Sequence, residues 1–155
     1  MSAVDYEQAL QELEAELTSE DEQRLLEFIS DVEVKEISLV DVPAVPRAVF
    51  GVEKQGKLML LSGPVLVPDE VDQQNDRVSK AEIRRAAYRY LIESRRLSLL
   101  HKRALGEDEA VVVESHVAKN GNWVITVAVG DPDVQRAVAD GKLRGFSIGG
   151  AGRRE

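Results

Sequence analysis

Residues 111–129 read VVVESHVAKNGNWVITVAV. Two runs rich in valine, isoleucine and tryptophan, 111–117 and 123–129, flank Asn120-Gly121. Asn-Gly between β-prone runs is the strongest short-range hairpin signal, because both residues tolerate the positive φ of a tight turn. An antiparallel pair of strands is therefore expected here.

Downstream, Asp131-Pro132 opens a short helix with an N-cap aspartate and a first-turn proline, and Gly141 stands just past its end. A last strand, 143–148, then runs into the glycine-rich 149–152. Upstream, Ser79 and Glu82 form a capping-box pair that starts a helix reaching about residue 95, with Ile83, Ala87, Tyr90 and Leu91 inward. Residues 97–101, LSLLH, are a short strand ending in histidine. Residues 58–67 form a strand kinked at Gly63-Pro64, 68–78 a polar loop, 48–53 a strand and 54–57 a turn. From Val34 the pattern alternates, Ile37 and Leu39 against Ser38 and Val40, until Pro43 and Pro46 interrupt the ladder.

Helical periodicity governs the first 30 residues, with Leu10, Leu13 and Leu17 in one helix and a second over 20–29. Residues 1–36 hold twelve Asp and Glu against Arg24 and Lys35, a net of −10 in a chain of net −8, which leaves +2 for the rest. The division expected is an acidic helical arm, 1–33, and a β domain, 34–155. The fold class is α+β: a closed or nearly closed, mostly antiparallel β-barrel with flanking helices.

Composition narrows the chemistry. The chain has no cysteine, so disulfides, thiol nucleophiles and cysteine zinc sites are excluded. An acidic balance argues against a nucleic-acid partner. No apolar run approaches the roughly 20 residues of a membrane span. The two histidines show no ligand spacing with each other, so neither a metal nor a cofactor is expected. Arg84, Arg85, Arg89, Arg95, Arg96, Lys102 and Arg103 form a basic group. It reads as a solvated face or as a docking surface for acidic protein, the −10 arm of this chain included.

A hydrolytic reading needs a nucleophile, a base and donors for an oxyanion. His101, at the end of an apolar strand, is the first candidate base. His116 lies mid-strand, on the side of Val112 and Glu114 by alternation. Ser147 sits in Gly145-Phe146-Ser147-Ile148-Gly149-Gly150, where glycines permit close approach. The strand–turn–helix setting of a nucleophile elbow is missing. By spacing alone the motif is weak, and an ordinary strand serine before a glycine-rich turn is the favoured reading.

These segments together carry a resemblance. LSGPVLVPDEVDQQNDRVS at 61–79, the helix that follows, His101, VVESHV, the GNW turn and GKLRGFSIGG at 141–150 resemble phage prohead (capsid-maturation) serine proteases, in particular the XkdF-like branch. That family is similar to the herpesvirus assembly protease, a β-barrel surrounded by helices. The resemblance covers about residues 34–152. It implies a serine endopeptidase in which Ser147 attacks the peptide carbonyl and His101 takes its proton.

EISLVDVPAVPRAVFGVEK at 36–54 resembles a segment that in many prohead proteases follows the catalytic serine, so the order here reads as a circular permutation. Residues 36–54 should then lie beside the last strand. By the same resemblance Glu36 orients the histidine, with Asp76 and Glu114 as alternatives. Backbone N–H groups of the 41–44 turn are candidate oxyanion donors. The implied substrates are phage scaffold and major capsid proteins, cut inside a prohead in the host cytoplasm, and a homodimer is compatible with the resemblance. The competing readings are a non-catalytic protease-like scaffold or capsid-assembly module and a generic β-barrel binding domain.

Overall fold

The computed structural model describes residues 30–43, 45, 48–68 and 78–153. The predicted helices of the acidic arm, and Asp76, lie outside the described residues. Among the described residues there are eight strands and two helices. In chain order these are β1 (Ser30–Val40), β2 (Gly51–Gln55), β3 (Leu58–Leu66), α1 (Lys80–Glu93), β4 (Leu97–Leu99), β5 (Arg103–Leu105), β6 (Ala110–Val117), β7 (Trp123–Val129), α2 (Pro132–Ala139) and β8 (Gly145–Arg153).

The strands form two four-stranded sheets, ordered β5-β4-β1-β8 and β2-β3-β7-β6. Every neighbouring pair is antiparallel except β1 and β4. Residues 48–50 form the seam between the sheets. Phe50 N–H donates to Arg144 O at 3.1 Å, Phe146 N–H donates to Ala48 O at 2.9 Å, and Val49 bridges Gly145. From there the chain enters β2, the edge of the second sheet.

The expected closed barrel is not formed among the described residues. Closure would need the outer strands β5 and β6 to pair, and β5 ends after three residues. The predicted 48–53 strand is also displaced: its first residues make the seam, and β2 begins at Gly51.

The fully buried Trp123, Tyr90, Phe146, Ile37, Leu39, Leu61, Ile83 and Ile125 anchor one core. Tyr90 packs edge-on against Trp123 at 5.6 Å between ring centres, and Phe50 against Phe146 at 5.1 Å. Such geometry suits the positive edge and negative face of aromatic rings. Both helix starts follow their caps. Ser79 Oγ accepts from Glu82 N–H at 3.3 Å, and Asp131 Oδ2 accepts from Val134 N–H at 2.9 Å. The Glu82 carboxylate accepts from Val32 N–H at 3.3 Å, tying α1 to β1.

Two bulges set which side chains face the core. In β1 the register slips between Val34, opposite Gly150, and Glu36, opposite Gly149. Lys35 is the extra residue, so Val32 and Val34 point inward before it and Ile37 and Leu39 after it. The bulged backbone is held from the C-cap of α1, where Ser94 Oγ donates to Lys35 O. In β6 a slip between Val112 and Glu114 puts Val112 opposite Val127 and Glu114 opposite Thr126. Simple alternation had placed Val112, Glu114 and His116 on one side; the bulge separates Val112 from the other two.

Candidate active site

The site lies on the face of the first sheet that carries Glu36 and Ser38 of β1. Ser38 stands in antiparallel register with Ser147 of β8 and in parallel register with Ser98 of β4. Neighbours in register share a face, so three hydroxyls form a row across three adjacent strands. All are buried: Ser38 is 0% exposed, Ser98 2% and Ser147 8%. Ser98 Oγ has no hydrogen-bond partner among the described residues.

His101 reaches this face from a turn. The predicted strand 97–101 stops at Leu99, and Leu100 and His101 adopt φ of 52° and 56°. Lys102 N–H returns to Leu99 O at 3.0 Å. Two consecutive residues at positive φ are the requirement of a type I′ turn, here without the usual Asn-Gly. The turn leads into β5, a strand absent from the sequence reading. His101 N–H donates to Ser38 Oγ at 2.8 Å, and His101 Nδ1 lies 3.1 Å from Glu36 Oε1. The ring and the carboxylate are 39% and 31% exposed as side chains, so this pair faces solvent while the serine row beside it is covered.

The glycine run after Ser147 is strand, not turn, because β8 continues to Arg153. Gly149 faces Glu36, and a Cβ there would stand 2.7 Å from Glu36 Cγ and 2.9 Å from its Oε1. The absence of a side chain at 149 thus leaves the space that the Glu36 carboxylate fills. The Glu36 charge also reaches Tyr90. Burial first, and that charge second, push the Tyr90 phenol well above its ordinary pKa. The neutral phenol donates to Arg96 O at 2.6 Å, just before β4.

Of the sequence candidates, Glu36 and His101 are therefore joined directly, and Ser147 sits one strand away from Glu36 in register with Ser38. No hydrogen bond joins Ser147 to the His101 ring among the described residues. Glu114 lies in the other sheet, accepting from Thr126 Oγ1 at 2.9 Å, and His116 is exposed on the same strand. Neither belongs to this site. In the 41–44 turn, Val42 N–H is engaged by Asp41 Oδ1 at 2.9 Å, and Ala44 lies outside the described residues. Ser38 was not singled out from the sequence. The signal that could have found it was a serine inside an otherwise apolar strand core.

Among the described residues no group of three or more potential metal ligands occurs, and no helix is long and apolar enough to cross a membrane. Several of the basic side chains have local partners. Arg89 Nε meets Glu93 Oε2 at 3.0 Å, Arg103 meets Glu109 at 2.8 Å, and Arg95 Nε donates to Leu91 O at 2.8 Å.

Comparison with known proteins adds a family to this geometry. Residues 48–155, well over half the chain, match the family model described as "Putative phage serine protease XkdF". That stretch contains His101 and Ser147 and begins after Glu36. Two Bacillus subtilis (strain 168) proteins are similar. One is the "Uncharacterized protein YqbD", 32% identical over 102 residues, covering 59% of this chain and 31% of that protein. The other is the "Phage-like element PBSX protein XkdF", 30% identical over 112 residues, covering 65% of this chain and 40% of that protein. The matches thus span about a third to two fifths of those relatives. No solved structure matches the chain. The chain belongs to the phage XkdF family.

Proposed function

We propose that this chain is a serine endopeptidase that cuts scaffold and capsid-protein segments inside an immature phage head, with Ser147 as nucleophile, His101 as general base and Glu36 orienting the imidazole. The observation that carries the reading is the 3.1 Å contact of His101 Nδ1 with Glu36 Oε1, made on the strand that pairs with the Ser147 strand. With Nδ1–H donating to the carboxylate, Nε2 is left as the basic nitrogen, and the carboxylate stabilises the imidazolium that forms. Membership of the phage XkdF family supports the assignment.

In the proposed reaction Ser147 Oγ bonds to the peptide carbonyl carbon as its proton passes to His101 Nε2. The C–N bond then breaks, the departing amine takes that proton, and water releases the acyl group by the same route in reverse. Catalytic hydrogen bonds are often long in the free enzyme and tighten with substrate bound. The serine–histidine bond is assigned to that complex. The adjacency of β1 and β8 also supports a circularly permuted relative of the prohead proteases, because the early strand occupies the place that a following strand would take.

A fluorophosphonate probe tests the reading. The wild-type chain should be labelled at Ser147. Labelling should vanish in Ser147→Ala and fall by about 10² to 10⁴ in His101→Ala, the range a placed base contributes. Incubation with phage scaffold and capsid proteins should then yield discrete fragments that Ser147→Ala does not produce. A folded chain that takes no label returns the protein to the second reading, a non-catalytic assembly module. That reading is favoured by one observation, the absence of a Ser147–His101 hydrogen bond among the described residues.

A further inference from the structure

We infer that Ser38 is a positioning residue for His101: its buried hydroxyl holds the left-handed turn that carries the histidine and so fixes where the imidazole stands between Glu36 and Ser147. The consequence for reactivity rests on the peptidase reading above; the holding of the turn does not. Leu100 and His101 are both at positive φ, and neither is the glycine or asparagine that this backbone favours. Such conformations persist where the surroundings over-determine them.

Two contacts do so here, both from β1. Leu100 N–H donates to Leu39 O at 2.9 Å, and His101 N–H donates to Ser38 Oγ at 2.8 Å. The first uses a backbone oxygen and would be kept by almost any residue at position 39. The second requires a side-chain oxygen at position 38. An apolar residue there would leave the His101 N–H without its partner.

Ser38 is wholly buried, between Ile37 and Leu39, which are equally buried. A central strand position of this kind ordinarily favours a β-branched apolar residue. The bond to His101 gives a physical reason for a hydroxyl instead. Glu36 lies two residues earlier on the same face of β1, in unbroken register with Ser38 and next to the bulge at Lys35. One strand therefore grips the histidine twice, its N–H through Ser38 and its Nδ1 through Glu36. Because Ser38 is also the register partner of Ser147, the turn is pinned to the strand position that faces the proposed nucleophile.

Amide hydrogen exchange by NMR and fluorophosphonate kinetics on the full chain test this together. In Ser38→Ala the His101 amide should exchange at least about tenfold faster, while the amides of Ile125 and Val127 stay protected. The maximal labelling rate of Ser147 should fall at least about tenfold, with the half-saturating probe concentration unchanged. Ser38→Thr, which keeps the oxygen, should restore both. If Ser38→Ala loses core protection, Ser38→Cys, close in volume and a weak acceptor, is read by the same two measurements. Unchanged His101 exchange overturns the holding role, and faster exchange with undiminished labelling overturns the positioning role. If the wild-type chain takes no label, the peptidase reading falls, and the exchange result still decides whether Ser38 holds the turn.

Discussion

Gly149 stands directly across from Glu36 in the β1–β8 ladder, and the carboxylate of the one occupies the space where the other would carry a side chain. Gly149→Ala should therefore displace the carboxylate from His101 while leaving the sheet paired. The expected outcome is a fall of about tenfold or more in Ser147 labelling, an order of magnitude typical of small misplacements near a reacting centre. Thermal melting should change by only a few degrees. A crystal structure of the variant with His101 Nδ1 still hydrogen-bonded to Glu36 would remove the steric argument.

Glu36→Gln keeps the shape and removes the charge. A neutral amide can still accept from Nδ1–H but stabilises an imidazolium less. The corresponding aspartate-to-asparagine change in a serine-protease triad costs about 10⁴ in rate, because the amide holds the histidine in the wrong tautomer. At the partly exposed Glu36, where solvent screens the charge, the expected loss is smaller, roughly 10 to 10². Labelling kinetics in the two forms check it; equal rates would remove Glu36 from the reaction.

Leu100 occupies a left-handed backbone and is 40% exposed, so removing its side chain forfeits less packing than at a core leucine. A non-glycine residue in that region costs about 1–2 kcal/mol, and glycine's extra freedom when unfolded takes back roughly 0.5–1. Leu100→Gly should thus stabilise the fold by up to about 1 kcal/mol in urea denaturation. A destabilised variant would mean that the leucine side chain matters more than its backbone strain.

The Arg103–Glu109 pair gives a pH prediction. Hydrogen bonds from Arg103 and from the Gly106 N–H hold the Glu109 carboxyl below its ordinary range. A depressed folded-state pKa contributes stability that is present above the unfolded value, 4.5, and is lost as pH falls through the folded value. Wild type and Glu109→Gln should therefore differ near neutral pH and converge in acid, as followed by denaturation curves from pH 7 to pH 2. Both groups face solvent, so high salt should shrink the difference. A gap that persists in acid would place its origin outside the ion pair.

Trp123 is fully buried, its ring against Tyr90 and its Nε1–H donating to Ser115 Oγ at 2.9 Å. Trp123→Ala should cost about 3–5 kcal/mol, enough to threaten folding in a domain of this size. A loss under 1 kcal/mol by calorimetry would contradict its place at the centre of the core.

The sequence made the β6–β7 hairpin and both helices readable, because each rests on local chemistry: Asn-Gly in the hairpin, Ser79 and Asp131 at the caps, Gly141 past α2. What it concealed involves partners far along the chain. The bulges at Lys35 and Val113 change the facing of side chains without changing composition. The Leu100-His101 turn has no glycine or asparagine to announce it, so the histidine reads as a strand end. The run after Ser147 looks like a turn because glycines usually make turns; its need for small residues comes from β1, the Glu36 side chain against Gly149 and the Glu33 backbone against Gly150, contacts visible only in three dimensions. Barrel closure was a property of the sheet edges, on which local patterning is silent. Glu36 itself was reached through the order of family segments and not through spacing.

The seating of β8 against β1 has a temporal meaning. Along the chain Glu36 and His101 precede Ser147, so a growing polypeptide carries the carboxylate and the imidazole before it carries the hydroxyl. In the proposed peptidase the reacting group therefore joins the site only when β8 pairs with β1, and a copy lacking that pairing stays harmless to its neighbours.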